Sequence, residues 1–248
     1  MPNPSKAPNK ATLQPKTLLV EGKDEENLLN ELLKDLKIID LQIIPVGGSG
    51  NFPEKLKGLK SRSEYRNITS IGIIRDADNN AKSAFDSICS ALEGNGLSKP
   101  PAPMQSFGDK PKITIMIVEN MIEDLCLQSV KDDPAMACVA QFFQCLTENL
   151  NKLPKNLAKA RVHAFLASRE FLEIAHFEYL KICLEDYILN PPTSPAIAVP
   201  KVHTFLASRY TPSLRLGEAA QKCGEEGERY WSFAHSAFDE LKRFLQMI

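Results

Sequence analysis

The chain lacks any charge of one sign in excess: of its 248 residues, 30 are Lys or Arg and 31 are Asp or Glu, a formal net charge of −1. No global basic field therefore announces a nucleic-acid partner, and such a partner would have to be held by a local patch. Long apolar runs are also missing. None approaches the roughly twenty residues that cross a bilayer, which predicts a soluble protein with no membrane partner. The segment from Met1 to Pro15 is rich in Pro, Asn and Lys without an apolar core. It does not read as a secretory signal and predicts a flexible, solvated tail over residues 1–15. The six cysteines (Cys89, Cys126, Cys138, Cys145, Cys183, Cys223) contain neither a CxxC pair nor the Cys/His spacing of a zinc site. Buried, reduced thiols in a cytoplasmic protein are the expectation. Apolar residues at 43% and charged residues at 25% exclude a fibre and a wholly disordered chain.

What is present is an alternation of short apolar runs with helical periods. Thr17 to Val20 reads as a buried strand, and after Gly22 the residues Leu28, Leu29, Leu32, Leu33 and Leu36 recur on one helical face. Leu41 to Val46 is a second strand-like run, ended by Gly47-Gly48-Ser49-Gly50, and a helix over Asn51 to Leu59 turns Leu56 and Leu59 inward. Ile68 to Ile74 forms the third run, followed by an Asp-rich turn and a helix from Asn80 to Leu92. Ile113 to Val118 is the fourth. Strand alternating with helix predicts an α/β fold with a largely parallel sheet and right-handed crossovers. Beyond Val118 no β-rich run is convincing, so the C-terminal part is expected to be mostly helical, interrupted by the proline cluster from Asn190 to Pro195. The segment Arg161 to Arg169 is echoed by Lys201 to Arg209, but two copies are too few for a solenoid.

The chemistry-bearing residues fall in the turns after the apolar runs. Glu21 follows the first, and Glu25 lies four residues on, so a helix starting near Gly22 puts both carboxylates on one face. The alternative is that these acids merely complement the helix dipole. Asp76 and Asp78, two apart on an extended segment, point the same way, whereas the alternative reading is a helix cap and turn, a role that Asn79 or Asn80 fits. If the two runs are neighbouring strands, Glu21, Asp76 and Asp78 converge at the carboxyl edge of the sheet. Converging carboxylates repel, and a hard divalent cation such as Mg²⁺ relieves the repulsion. Gly47, Gly48, Ser49 and Gly50 offer backbone N–H groups to a phosphate, without the Lys-Ser/Thr ending of a P-loop. A simple turn is the other reading. Lys55, Lys57, Lys60, Arg62 and Arg66 form either a local phosphate-binding patch or an ordinary solvated face.

The Glu21-Gly22 turn, the strand and helix that follow, and the Asp76-x-Asp78 turn together resemble the Toprim domain, shared by topoisomerases, bacterial primases, OLD-family nucleases and small RNA-maturing nucleases. The resemblance covers Lys16 to Val130 and is greatest to small stand-alone members related to OLD-type nucleases. It implies a Toprim-like, Rossmann-like α/β domain over 16–130, with about four mainly parallel strands flanked by helices, and a helical region over 131–248 packed on the sheet. By this resemblance Glu21 is a metal-dependent acid or base, Asp76 and Asp78 are metal ligands, and Glu25 matches a second-metal position. Glu123 looks like a further acidic ligand, with Glu119 as the alternative. Lys201, two residues before His203, matches a lysine that stabilises charge developing on phosphate. Its other reading is a surface lysine. Asn80 stands where many Toprim proteins carry a third aspartate, which favours nuclease-like over topoisomerase chemistry. The expected function is a Mg²⁺- or Mn²⁺-dependent nuclease acting on DNA or RNA. The alternatives are a non-catalytic Toprim-fold binding module, or a defence or repair component that works with a partner such as an ATPase.

Overall fold

The computed structural model describes residues 13–77, 80–119, 121–150, 153–173, 216–220 and 230–248. Strands β1 (Lys16–Val20), β2 (Leu41–Pro45), β3 (Ser70–Asp76) and β4 (Lys112–Val118) form one four-stranded sheet in the order β2-β1-β3-β4. All three pairings are parallel. Helices α1 (Lys23–Asp35), α2 (Phe52–Lys60) and α3 (Ala81–Gly94) occupy the connections, giving the expected α/β, Rossmann-like fold. The chain leaves β1 for β2 on one side and then crosses back over β1 to β3. The carboxyl ends of β1 and β3 therefore flank the topological switch point, where such sheets place their ligands.

One face of the sheet presents Leu19, Ile71, Ile73, Ile113 and Ile115 to Phe52, Leu56 and Leu59 of α2 and to Ile88 and Leu92 of α3. On the other row of β3, Gly72 has no side chain for a reason. A Cβ there would collide with Ile248 Cδ1 and approach Leu18 Cδ1 to 3.0 Å, so the bare backbone makes room for the last residue of the chain. Burial on both faces explains why these strands read as near-continuous apolar runs. At the β2 edge, Val46 N donates to Val20 O at 2.8 Å. Alternation then turns the nitrogen of Pro45 outward, where a missing donor costs no ladder bond.

Several element boundaries differ from the sequence reading by a residue or two. β3 begins at Ser70 instead of Ile68, because Ile68 N closes a 3₁₀ turn on Tyr65 O at 2.9 Å. Leu13 and Pro15, expected in the tail over 1–15, are instead engaged with the sheet, since Leu13 is buried in the core and Pro15 O accepts from Thr69 N at 2.8 Å. Residues 1–12 lie outside the described residues.

Two compact units divide at 120/121, whereas the expected division was at 130. The first comprises 1–120 together with 240–248, so most of the terminal helix, which buries Leu241, Phe244 and Leu245, belongs with the sheet. The second, 121–239, contains α4 (Ile122–Ser129), α5 (Pro134–Leu150), α6 (Leu157–Glu173) and the short α7 (Leu216–Ala219). The terminal helix, α8, spans Asp239–Met247. In the second unit the Trp231 ring is fully buried 5.5 Å from that of Phe165, and its Nε1 donates to Leu216 O at 3.0 Å. Arg161 to Arg169 lies within α6, while its echo at Lys201 to Arg209 falls outside the described residues. No described helix is long and apolar enough to cross a membrane. Cys89, Cys126, Cys138 and Cys145 are free thiols.

Candidate functional site

Glu21 is the first residue past β1, and Asp76, buried at 7% exposure, is the last of β3. Both stand at the switch point. The backbone around Glu21 is held by the glycine loop after β2: Gly47 N and Gly48 N each donate to Glu21 O at 2.9 Å. Gly47 (φ 85) and Gly48 (φ 117) adopt conformations that side chains resist, and Asn51 closes the loop by donating from Nδ2 to Gly47 O at 2.7 Å. Two of the four loop residues expected to cradle a phosphate thus spend their donors on Glu21. The loop fixes the acidic turn.

The carboxylate of Glu21 faces a cation from the chain itself, with Arg75 Nε 3.8 Å from Glu21 Oε1. That distance makes an ion pair, not a hydrogen bond. The register explains the meeting: Leu19 pairs with Ile73, so Glu21 and Arg75 come level two residues later on the same face. Asp76, paired with Val118, falls in the alternate row with Gly72 and Ile74. A group bound by both Glu21 and Asp76 therefore has to sit past the strand ends. Sequence reading missed Arg75, whose signal was a lone cation between an apolar run and the first aspartate.

Glu25 folds back over the same turn. A Cβ on Gly22 would lie 2.7 Å from Glu25 Oε2, so the glycine leaves a cradle that the carboxylate fills. The neighbouring Glu26 is engaged with Lys23 Nζ at 2.7 Å. Asp24, Glu25 and Glu26 also occupy the first turn of α1, where they complement its dipole.

Glu123 is buried in the first turn of α4, in the second unit, beside Cys126, whose thiol is pushed well above its ordinary pKa by burial and secondarily by the Glu123 charge. Glu119 is exposed. Asp78, Lys201 and His203 lie outside the described residues. Asn80 is the N-cap of α3 and its Oδ1 accepts from Ser83 N at 2.9 Å, so its oxygen serves a helix end. The basic patch is partly committed as well, with Lys60 donating to Asn95 O and Arg62 3.9 Å from Glu64. Lys55 and Arg62 line an open groove of about 510 Å³ between β2 and α2, floored by Leu19, Ile44 and Val46.

Among the described residues no group of three His, Cys, Asp or Glu side chains is gathered as a metal site. Glu21, Glu25 and Asp76 nevertheless offer only hard carboxylate oxygens, and the cradle at Gly22 lets one of them fold over the turn that bears another. This donor chemistry fits Mg²⁺ or Mn²⁺.

A family model described as "Protein of unknown function (DUF3226)" matches residues 15–194. No curated protein matches the chain. Solved structures of the C-terminal region of the OLD protein of Xanthomonas campestris pv. campestris are similar to it. The mercury-phased structure is 16% identical over 84% of this chain and 92% of that one, with a TM-score of 0.33. The platinum-phased structure is 17% identical over 83% and 86%, with a TM-score of 0.32. Likeness at that level carries no weight for function.

Proposed function

The chain belongs to the DUF3226 family of proteins of unknown function, and from its acidic site we propose that it is a Toprim-like, Mg²⁺- or Mn²⁺-dependent nuclease that hydrolyses phosphodiester bonds in DNA or RNA. The observation that carries this reading is the placement of Glu21 and Asp76 at the carboxyl ends of β1 and β3, on either side of the switch point. The Toprim resemblance of the same turns supports it, and adds Asp78 and Glu25 as ligands.

The metal, when bound, supplies positive charge at the phosphate and makes water acidic enough to act as nucleophile near neutral pH. Asp76 and Asp78 hold it, with Glu25 at a second position. Glu21 takes the proton that water loses as its oxygen joins phosphorus, and the P–O bond to the departing strand breaks. Arg75, with its Nε 3.8 Å from Glu21 Oε1, offsets the charge of that carboxylate. Lys201 is assigned to the charge on the leaving oxygen by resemblance alone. Nucleic acid is then the partner.

A second reading is favoured by Asn80, which serves as a helix cap where a third aspartate is common. In that reading the domain is a binding module, or a component active only with a partner such as an ATPase. Incubating labelled single- and double-stranded DNA and RNA with Mg²⁺, Mn²⁺ or EDTA separates the two. The nuclease reading expects metal-dependent cutting that disappears in Asp76→Ala. Cutting that persists in this variant places the activity elsewhere.

A further inference from the structure

We infer that the groove between β2 and α2 is a subsite for one unpaired nucleotide of a single strand, next to the phosphate that the acidic turn receives. The inference deepens the nuclease reading and rests on it. The groove holds about 510 Å³, within the range of about 300–1,000 Å³ in which pockets take small ligands. One end adjoins the Glu21 turn. There Val46 donates from N to Val20 O at 2.8 Å, and Asn51 donates from Nδ2 to Gly47 O, while Gly47 N is itself held on Glu21 O.

Gly58 lines the groove without serving the fold. It stands in the last turn of α2, its backbone is helical, and a Cβ there would meet nothing within 4 Å. Alanine is the better helix former at such a position, so what the bare backbone keeps open is the groove. Three charged residues line it, Glu54, Lys55 and Arg62. Arg62 lies 3.9 Å from Glu64, and Glu54 is exposed, where water screens its charge. Lys55 is half-buried and makes no hydrogen bond or ion pair among the described residues. Its charge is the less screened, and Lys57 and Lys60 of the same helix add to it. Leu19, Ile44, Val46 and Leu59 supply an apolar surface beside that cation.

A nucleotide matches both features, with its base on the aliphatic floor and its phosphate on Lys55. A base stacked in a duplex does not present its face, so the strand has to be unpaired there. An extended acidic peptide is the poorer match. At this end of β2 Pro45 has no N–H and Val46 turns its own to Val20, which leaves no donor for an added strand.

The test is equilibrium binding of a short labelled oligothymidylate, and of its duplex with oligoadenylate, to the full chain, read by fluorescence anisotropy in EDTA so that neither metal nor cleavage contributes. Wild type is expected to prefer the single strand. Gly58→Leu fills the groove while favouring the helix, and should weaken that binding by about ten-fold or more, the loss of one base contact, with no fall in the thermal midpoint. Lys55→Gln, on the surface of the same helix, should make the fall of log affinity with log salt shallower by about 0.7, the share of one phosphate on a single strand. Wild-type binding in both folded variants, a preference for the duplex, no binding by wild type, or displacement of the strand by polyglutamate of equal charge overturns the inference. Cutting of the same strand by wild type with Mn²⁺ then shows that the nuclease reading stands without it. Binding that falls as expected, in a protein that cuts no strand with Mg²⁺ or Mn²⁺, overturns the nuclease reading and leaves the groove a site for single strands.

Discussion

Gly22 separates the needs of the fold from the needs of the site, and its replacement by alanine tests the cradle directly. The backbone there (φ −138, ψ −176) is extended and open to any residue. Only the Glu25 carboxylate demands a glycine: its Oε2 lies 2.7 Å from where a Cβ would stand, while ordinary contact begins at 3.4 Å. Glu25 must therefore retreat by about 0.7 Å, and since it is the far end of a flexible side chain the movement is cheap. Alanine is a poorer N-cap than glycine by up to about 1 kcal/mol, but it also restricts the unfolded chain by about 0.4–1 kcal/mol. These effects oppose each other, so stability should change by less than about 0.5 kcal/mol. Function is less forgiving, because an error of about 1 Å in a reacting constellation costs on the order of a hundred-fold, and about ten-fold is expected here. The assay is metal-dependent cleavage alongside urea denaturation, for Gly22→Ala, Glu25→Ala and the double variant. The loss caused by Gly22→Ala should vanish once Glu25 is alanine. An equal loss in both backgrounds refutes the cradle.

Further expectations concern the frame around the site. Gly72→Ala forces Ile248 off the sheet and should cost about 1–3 kcal/mol by urea denaturation, part of which returns in Gly72→Ala/Ile248→Ala because the new methyl fills vacated space. Asn80→Ala removes the cap of α3 and should cost about 1 kcal/mol in the same measurement. Burial raises the Cys126 thiol pKa above its reference of 9.0, so the folded state holds that proton more tightly than the unfolded chain. The associated stability is intact below pH 9.0 and is lost as pH rises above it. Cys126→Ala should flatten that alkaline slope.

The sheet was legible because parallel strands buried on both faces leave uninterrupted apolar runs, and because Leu28, Leu29, Leu32 and Leu33 mark α1 by their spacing. Strand ends were less so. Ile68 is as apolar as any residue of β3, yet it belongs to a 3₁₀ turn closed on Tyr65, and Asp76 stays in the ladder through Val118 despite its charge. Local pattern carries no register, so the meeting of Glu21 with Arg75 could not be read from spacing. Nor could the seating of Ile248 at Gly72, which joins the end of the chain to a strand far from it in sequence.

The central claim is that the acids at the ends of β1 and β3 cut a phosphodiester bond with a divalent cation. Its most direct measurement is single-turnover cleavage of a labelled strand by wild type and Glu21→Gln at saturating Mn²⁺, with Mn²⁺ binding measured on the same samples. The account predicts that Glu21→Gln still binds the cation through the aspartates while cleavage falls by about 10²-fold or more, the contribution of a positioned acid–base group. Cleavage at the wild-type rate in a variant that still binds Mn²⁺ would contradict it.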